Sequence, residues 1–177
     1  MKADDEMTAA EFRKVYDAVF PTIFRVALRI TANGEAAEDL SHDAFFRMYE
    51  KKMVFPSTND AKYWLIRVVK NASLNYAKRK DKERQIYHKM FREEERADES
   101  GENILIRKET REKVRQALLR LPENLRTVII LKEYADLNYK EIGKMLGISE
   151  GNVKVRVFRA RERLCAIFKK EDGKNVS

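Results

Sequence analysis

The sequence holds a single cysteine, Cys165, so no disulfide can close within the chain and no cysteine cluster can hold zinc. Cys165 falls just past an apolar stripe, where a small buried hydrophobe is expected. The two histidines, His42 and His88, are isolated and form no His-x-x-x-His pair. There is no glycine-rich phosphate loop and no nucleophile motif, so no catalytic residue, cofactor site or metal site is expected. Only three prolines and six glycines occur in 177 residues, which disfavours a sandwich or barrel. No window approaches ~18 uninterrupted apolar residues, so no membrane insertion is expected. The first seven residues, M-K-A-D-D-E-M, are acidic and lack the apolar core of a signal peptide, so the expected location is cytoplasmic.

What the chain does have is charge and helical periodicity. Hydrophobic residues make up 44% and charged residues 37%, a balance that suits helix-rich globular structure. The formal net charge is +8. Lys and Arg lead Asp and Glu by 14 to 11 over residues 1–80, trail by 7 to 9 over 81–110, and lead by 16 to 9 over 111–177. The basic excess therefore gathers at the C-terminal end, as the electrostatic footprint of a nucleic-acid binder would.

That end contains L-N-Y-K-E-I-G-K-M-L-G-I-S-E-G-N-V-K-V-R-V-F-R-A-R-E-R-L, Leu137 to Leu164. Asn138 and Glu141 have capping-box spacing, and Ile142, Met145 and Leu146 make an apolar face. Gly147 permits a left-handed turn, and Ser149 can cap a second helix. Helix, glycine turn and helix are the parts of a helix-turn-helix DNA reader. In the second helix Val153, Val157, Ala160 and Leu164 share one stripe. Arg156, Arg159 and Arg163 run beside it, Lys154 and Arg161 flank it, and Val155 points away from it. Such a helix can lie in a major groove with its cations on phosphates and base edges. The plainer reading is an arginine-rich solvated surface, which does not explain the coincidence of turn, caps and charge.

The rest of the chain reads as helices. Residues 8–33 begin with a capping box, Thr8 and Glu11, and continue through Phe12, Val15, Tyr16, Val19, Ile23, Val26, Ala27 and Ile30. Pro21 is expected to kink or split this helix, and Asn33-Gly34 to stop it. A second helix, 35–52, turns Ala36, Ala37, Leu40, Ala44, Phe45, Met48 and Tyr49 inward. Glu38, Asp39, His42, Asp43, Phe46 and Arg47 lie on its other face, either solvated or a docking site.

The loop Lys51 to Asp60 carries Pro56, and Thr58 or Asn59 can cap the next helix. This third helix runs from about Ala61 past Lys80, with Trp64, Leu65, Val68, Ala72 and Tyr76 inward. Arg67, Lys70, Asn71, Asn75, Lys78, Arg79 and Lys80 form its polar face. Aromatics, amides and cations so interleaved suit unpaired DNA: rings stack bases, amides read their edges and cations hold the backbone. Plain core packing of Trp64 and Tyr76 is the competing explanation.

Charge then dominates. The helix is expected to fray within 84–96, and a flexible linker to occupy the region near Ala97–Asn103. Residues 109–135 give two helices, one with Val114, Ala117, Leu118 and Leu121, the next opened by Pro122 and carrying Leu125, Val128, Ile129 and Leu131. They are expected to pack with the helix-turn-helix, and the tail after Lys169 to fray.

Four stretches together resemble the extracytoplasmic-function (ECF) sigma factors of bacterial RNA polymerase, and the likeness covers about Glu11 to Phe168. They are A-A-E-D-L-S-H-D-A-F-F-R-M-Y (Ala36–Tyr49), W-L-I-R-V-V-K-N-A-S-L-N-Y (Trp64–Tyr76), L-R-L-P-E-N-L-R-T-V-I-I-L (Leu119–Leu131) and Y-K-E-I-G-K-M-L-G-I-S-E-G-N-V-K-V-R-V-F-R-A-R (Tyr139–Arg161). The resemblance implies an all-α protein of two small helical domains. Residues 8–90 would be sigma region 2, 91–108 a flexible charged linker, and 109–170 sigma region 4. It implies core RNA polymerase as partner, held at the β′ clamp through Asp39, His42, Asp43, Phe46 and Arg47. Promoter DNA would be met at the −10 element by Phe55, Arg67, Asn71, Asn75, Lys78 and Arg79, with Phe55 and Asn71 at a pocket for a flipped base. The −35 element would be met by Lys154, Val155, Arg156, Phe158 and Arg159. An anti-sigma factor is a further implied partner. A helix-turn-helix regulator acting without core polymerase is the alternative, and it leaves the N-terminal half unexplained.

Some positions depart from the family's pattern. His42-Asp43 stands where Gln-Glu is common, which keeps charge but loses an amide. Val155 stands where a polar residue is common. Ala61 and Gly143 are smaller than usual and read as packing variation.

Overall fold

A computed structural model describes residues 7–90 and 105–172. The acidic residues 1–6, the linker expected near Ala97–Asn103 and the end of the tail lie outside the described residues. The described residues form seven helices and no strand, as expected of an all-α chain. Two compact units divide the chain: Met1–Lys78 with Glu133–Asp136, and Arg79–Lys132 with Leu137–Ser177.

In the first unit, α1 (Ala9–Thr31) packs on α2 (Gly34–Glu50), and α3 (Thr58–Met90) begins after a loop. The capping box at Thr8 forms: the Glu11 N–H donates to the Thr8 hydroxyl, and the Thr8 N–H to the Glu11 carboxylate at 2.8 Å. Pro21 does not split α1. Its missing N–H costs one helical hydrogen bond, but Val15, Val19, Ile23 and Val26 are buried on either side of it and hold the helix together. The stop is made by Ala32, which takes the left-handed conformation at φ 54° and donates its N–H to Leu28. Asn33 instead caps α2, accepting from the Ala36 N–H at 2.8 Å, and Gly34 is already helical. The expected stop signal is thus a start signal.

Ala36, Ala37, Ala44, Phe45 and Met48 are buried as expected, Leu40 is half-buried, and Tyr49 is 67% exposed. Tyr49 still touches α1, its ring meeting Phe12 edge-on with 5.8 Å between centroids. The cap of α3 is Ser57, one residue earlier than expected: its hydroxyl accepts from the Asp60 N–H. The inward stripe of α3 is also turned relative to expectation. Ala61, Leu65, Ile66, Val69, Lys70 and Ser73 are buried, while Trp64, Val68, Ala72 and Tyr76 are half-buried. The large aromatics mislead here, since Trp64 and Tyr76 sit at the edge of the stripe and not along its middle.

In the second unit, α4 (Leu105–Leu119), α5 (Glu123–Tyr134), α6 (Tyr139–Leu146) and α7 (Glu150–Asp172) come in order. Ala117, Leu118, Leu121, Leu125, Val128, Ile129 and Leu131 are buried, and Val114 is half-buried. Pro122 stands just before α5, and its carbonyl accepts from Leu125 and Arg126. Both α4 and α6 pack on α7. Cys165 is exposed, a correction: one residue past Leu164 on a helix is a rotation of about 100°, enough to leave the inward stripe.

Candidate nucleic-acid interface

The helix-turn-helix is held by its caps. Asn138 accepts from the Glu141 N–H at 2.9 Å, and the Glu141 carboxylate accepts from the Asn138 N–H at 2.7 Å. Gly147 has φ 68° and donates its N–H to Gly143, ending α6. The Asn152 N–H donates to the Ser149 hydroxyl, starting α7. Gly143 is the residue that sequence reasoning undervalued. A Cβ there would lie 2.7 Å from the Ile148 carbonyl oxygen, so the turn closes directly over the glycine. A glycine inside a helix pattern, five residues before the turn's end, was the available signal.

Val153, Val157 and Ala160 are buried and Leu164 is half-buried, so the dry stripe of α7 is as expected. Lys154, Val155, Phe158 and Arg159 are exposed. Phe158 at 62% and Val155 at 47% are large apolar groups facing outward. Two of the candidate cations are held. Lys154 pairs with Glu150 at 2.8 Å and lies 5.7 Å from the centroid of the Tyr139 ring. The hydrogen bond between them raises the Lys154 pKa and lowers that of Glu150. Half-buried Arg156 donates from Nε to Asn152 Oδ1 at 2.8 Å.

In the first unit, Phe55 and Trp64 meet with ring centroids 5.9 Å apart. Both are half-buried, so the loop is fastened to the start of α3 by its aromatic residue. Asn71 is exposed two helical turns beyond Trp64, and Arg67, Asn75 and Lys78 are exposed as well. Arg79 is exposed and approaches Glu83 at 3.9 Å. Lys70, expected on this polar face, is instead buried at 7% exposure. Burial is the main cause of its lowered pKa, and neighbouring Arg67 adds to it.

Asp39, His42, Asp43, Phe46 and Arg47 are all exposed on α2, on one face by their spacing of three and four. His42 lies against α1: its ring is 5.0 Å from that of Phe20 and 6.2 Å from that of Tyr16. It also approaches Glu38 at 3.8 Å. The ladder Phe12, Tyr16, Phe20 and Phe24 was readable as an aromatic at every fourth position, but only its first two members stood out beside the aliphatic stripe. Tyr16 and Phe20 stack at 4.9 Å, and Phe45 packs against Phe12, Tyr16 and Phe20.

Among the described residues, no group of three or more His, Cys, Asp or Glu side chains is placed to hold a metal ion. No helix among them is long and apolar enough to cross a membrane.

Comparison with known proteins addresses both units. The family described as Sigma-70 region 2 matches residues 15–83, and Sigma-70, region 4 matches residues 111–164. The ECF RNA polymerase sigma factor SigM of Bacillus subtilis is 30% identical over 156 residues, covering 88% of this chain and 93% of the relative. SigW of the same organism is 29% identical over 167 residues, covering 86% of each. Among solved structures, the sigma factor RpoE in complex with the anti-sigma factor NepR from Bartonella quintana aligns with a TM-score of 0.67 at 23% identity, covering 91% of this chain and 98% of that one. CnrH in complex with the cytosolic domain of CnrY aligns with a TM-score of 0.69 at 18% identity, covering 92% and 90%. At those identities the two structures speak to the fold alone. Region 2 and region 4 stand in order on one chain, and the likeness to SigM over 88% of it spans both, so the chain belongs to the ECF RNA polymerase sigma factors.

Proposed function

We propose that this chain is an alternative sigma factor, a dissociable subunit that binds core RNA polymerase and directs promoter-specific initiation. The observation that carries this reading is the presence of both sigma regions on one chain, each with an outward polar face of its own. Residues 8–90 bind the polymerase and melt the −10 element, residues 91–108 link, and residues 109–170 hold the duplex −35 element. Asp39, His42, Asp43, Phe46 and Arg47 meet the β′ clamp. Phe55, Arg67, Asn71, Asn75, Lys78 and Arg79 meet the −10 strand. Unpairing a base costs a few kcal/mol, which a pocket selective for that base offsets. Lys154, Val155, Arg156, Phe158 and Arg159 meet the −35 element, where cations supply affinity and base-edge contacts supply choice.

The chain is not an enzyme by itself and acts in the cytoplasm. An anti-sigma factor holds it when it is not in use. The complex of RpoE with the anti-sigma factor NepR supports that partner, since RpoE aligns with 91% of this chain. A regulator acting without core polymerase would have no use for region 2.

The test is in vitro transcription with core enzyme on a library of genomic fragments. Adding the chain is expected to create promoter-specific start sites. Start sites unchanged by its addition would overturn the reading. On a promoter mapped this way, Arg159→Ala is expected to weaken −35-dependent initiation, and Asn71→Ala to impair −10 selectivity more than core binding.

A further inference from the structure

Arg156 is a candidate −35 cation whose guanidinium is held by one corner only. Its Nε donates to Asn152 Oδ1 at 2.8 Å, one turn earlier on α7. Nε carries a single N–H, so this bond occupies Nε and leaves the fork of Nη1 and Nη2. That fork has no hydrogen bond or ion pair with any described residue. Asn152 is itself tied to the turn, since its backbone N–H donates to the Ser149 hydroxyl at 3.2 Å.

The bond redirects Arg156. Val155 is exposed and points away from the dry stripe. At about 100° per residue, Arg156 stands about 100° round the helix from Val155, and Asn152 about 60° round on the same side. A long side chain on a helix already leans towards the N-terminus. Held by Asn152, the guanidinium is drawn one turn back towards the start of α7 and from its flank towards its outward line. The N-terminal part of a groove-reading helix is the part that meets base edges, while its flanks face the groove walls.

The chemistry of the holder matters as well. An acid would fix the guanidinium but offset its charge beside DNA, as Glu150 does for Lys154. The Asn152 amide is neutral, so Arg156 is oriented and keeps its whole charge.

We propose that Asn152 is a positioning residue of the −35 readout: it holds Arg156 Nε so that the Nη fork takes O6 and N7 of one guanine in the major groove. This rests on the reading of α7 as the −35 helix. It deepens that reading by moving Arg156 from the cations that supply affinity to the groups that choose a base. A guanidinium fixed beforehand also loses less freedom on binding than a loose one.

The experiment uses holoenzyme reconstituted with core polymerase and a labelled duplex carrying the −35 element of a mapped promoter. Each guanine of the element is replaced in turn by 7-deazaguanine, which lacks the N7 acceptor and keeps its base pairing. At one position the replacement is expected to weaken wild-type binding about fivefold or more. Asn152→Ala removes the holding acceptor without adding charge, and Arg156→Lys keeps the charge and removes the fork. Each is expected to abolish most of that discrimination, and the double variant to lose no more than either alone. Asn152→Asp keeps an oxygen acceptor and is expected to keep the discrimination at lower overall affinity.

Discrimination lost with Arg156→Lys but kept with Asn152→Ala would overturn the positioning role and leave the −35 reading standing. So would an Asn152→Ala protein that binds every duplex more weakly by the same factor, because that is the mark of a damaged helix start. A neutral methylphosphonate at each phosphate of the element is a further arm. Sensitivity to one methylphosphonate that Asn152→Ala changes, with the response to 7-deazaguanine unaltered, would place the fork on a phosphate and overturn the guanine assignment. Indifference of binding to Asn152→Ala, Arg156→Lys and Arg159→Ala alike would overturn both the inference and the −35 reading beneath it.

Discussion

Lys154 Nζ and Glu150 Oε1 lie 2.8 Å apart, one turn apart on α7, so a cation proposed to meet the −35 element is held by an acid of the helix's own first turn. Glu150 is well placed for the helix, because a carboxylate near an N-terminus complements the macrodipole. It is poorly placed for DNA, since it occupies the ammonium that a phosphate would use. Glu150→Gln is therefore expected to raise the affinity of holoenzyme for duplex −35 DNA, by less than tenfold because both groups are exposed to solvent. The gain should shrink as salt is added. Equal affinity for the two proteins at low salt would show that Lys154 exchanges partners without cost.

Gly143 and Ile148 set the closure of the helix-turn-helix. With the Ile148 oxygen 2.7 Å from where a Cβ would stand, Gly143→Ala must push α6 away from the turn. A misfit of this kind typically costs about 1–3 kcal/mol. Thermal melting should show that loss, and −35 binding by holoenzyme should fall with it. An unaltered melting temperature would mean that the turn yields freely.

Ser73 carries a buried hydroxyl without a partner. Ser73→Ala removes that unmet donor and leaves a methyl group that helix and core both accept. The substitution is expected to raise stability by about 1 kcal/mol, read from chemical denaturation. A loss of stability would mean that the hydroxyl finds a partner in solution.

Acid should loosen the first helix. The Thr8 backbone N–H and hydroxyl both hold the Glu11 carboxylate and lower its pKa below the ordinary 4.5. A group depressed on folding contributes its stability above the unfolded value and loses it as pH falls through the folded one. Glu83, Glu112 and Glu150 are lowered in the same direction by Lys80, Arg115 and Lys154, so their effects add in sign. Melting temperature should therefore be flat near neutrality and decline below about pH 5, with Glu11→Gln declining less steeply. A wild-type profile that stays flat down to about pH 3 would contradict this.

Much of this molecule was legible because its signals are local. Capping boxes at Thr8 and Asn138, the left-handed Gly147 and the stripe Val153–Val157–Ala160 depend on spacing alone, and all stand where spacing puts them. Most of what failed depends on neighbours far away in sequence. Lys70 reads as part of a polar face because it is charged, yet it is buried with Ile66 and Ser73. Trp64 and Tyr76 read as core because they are large, yet they line its edge. Asn33-Gly34 reads as an ending because both residues favour turns, but a capping asparagine serves the helix after it equally well. On α7 the faces were legible and the partners were not: Lys154 is exposed and Arg156 half-buried beside the dry stripe, but nothing in their positions announced that Glu150 and Asn152 hold them.

Val155 is the residue by which the proposed −35 readout of α7 should differ from that of the family at large. It is 47% exposed on α7, between Lys154 and half-buried Arg156, with the dry stripe on the opposite side. An exposed valine gains nothing for the fold and lowers helix propensity slightly. In a major groove, however, it offers an apolar contact that a hydroxyl cannot, and the C5-methyl of thymine is the apolar feature there. Val155→Ser is expected to leave melting nearly unchanged, since an exposed side chain contributes little to packing. It should reduce initiation about fivefold or more on −35 elements with thymine at one position, and much less where another base stands there. The measurement is transcription by holoenzyme from a promoter library randomised through the −35 element. An identical base preference for both proteins would remove Val155 from the readout and leave selection to Phe158 and the arginines.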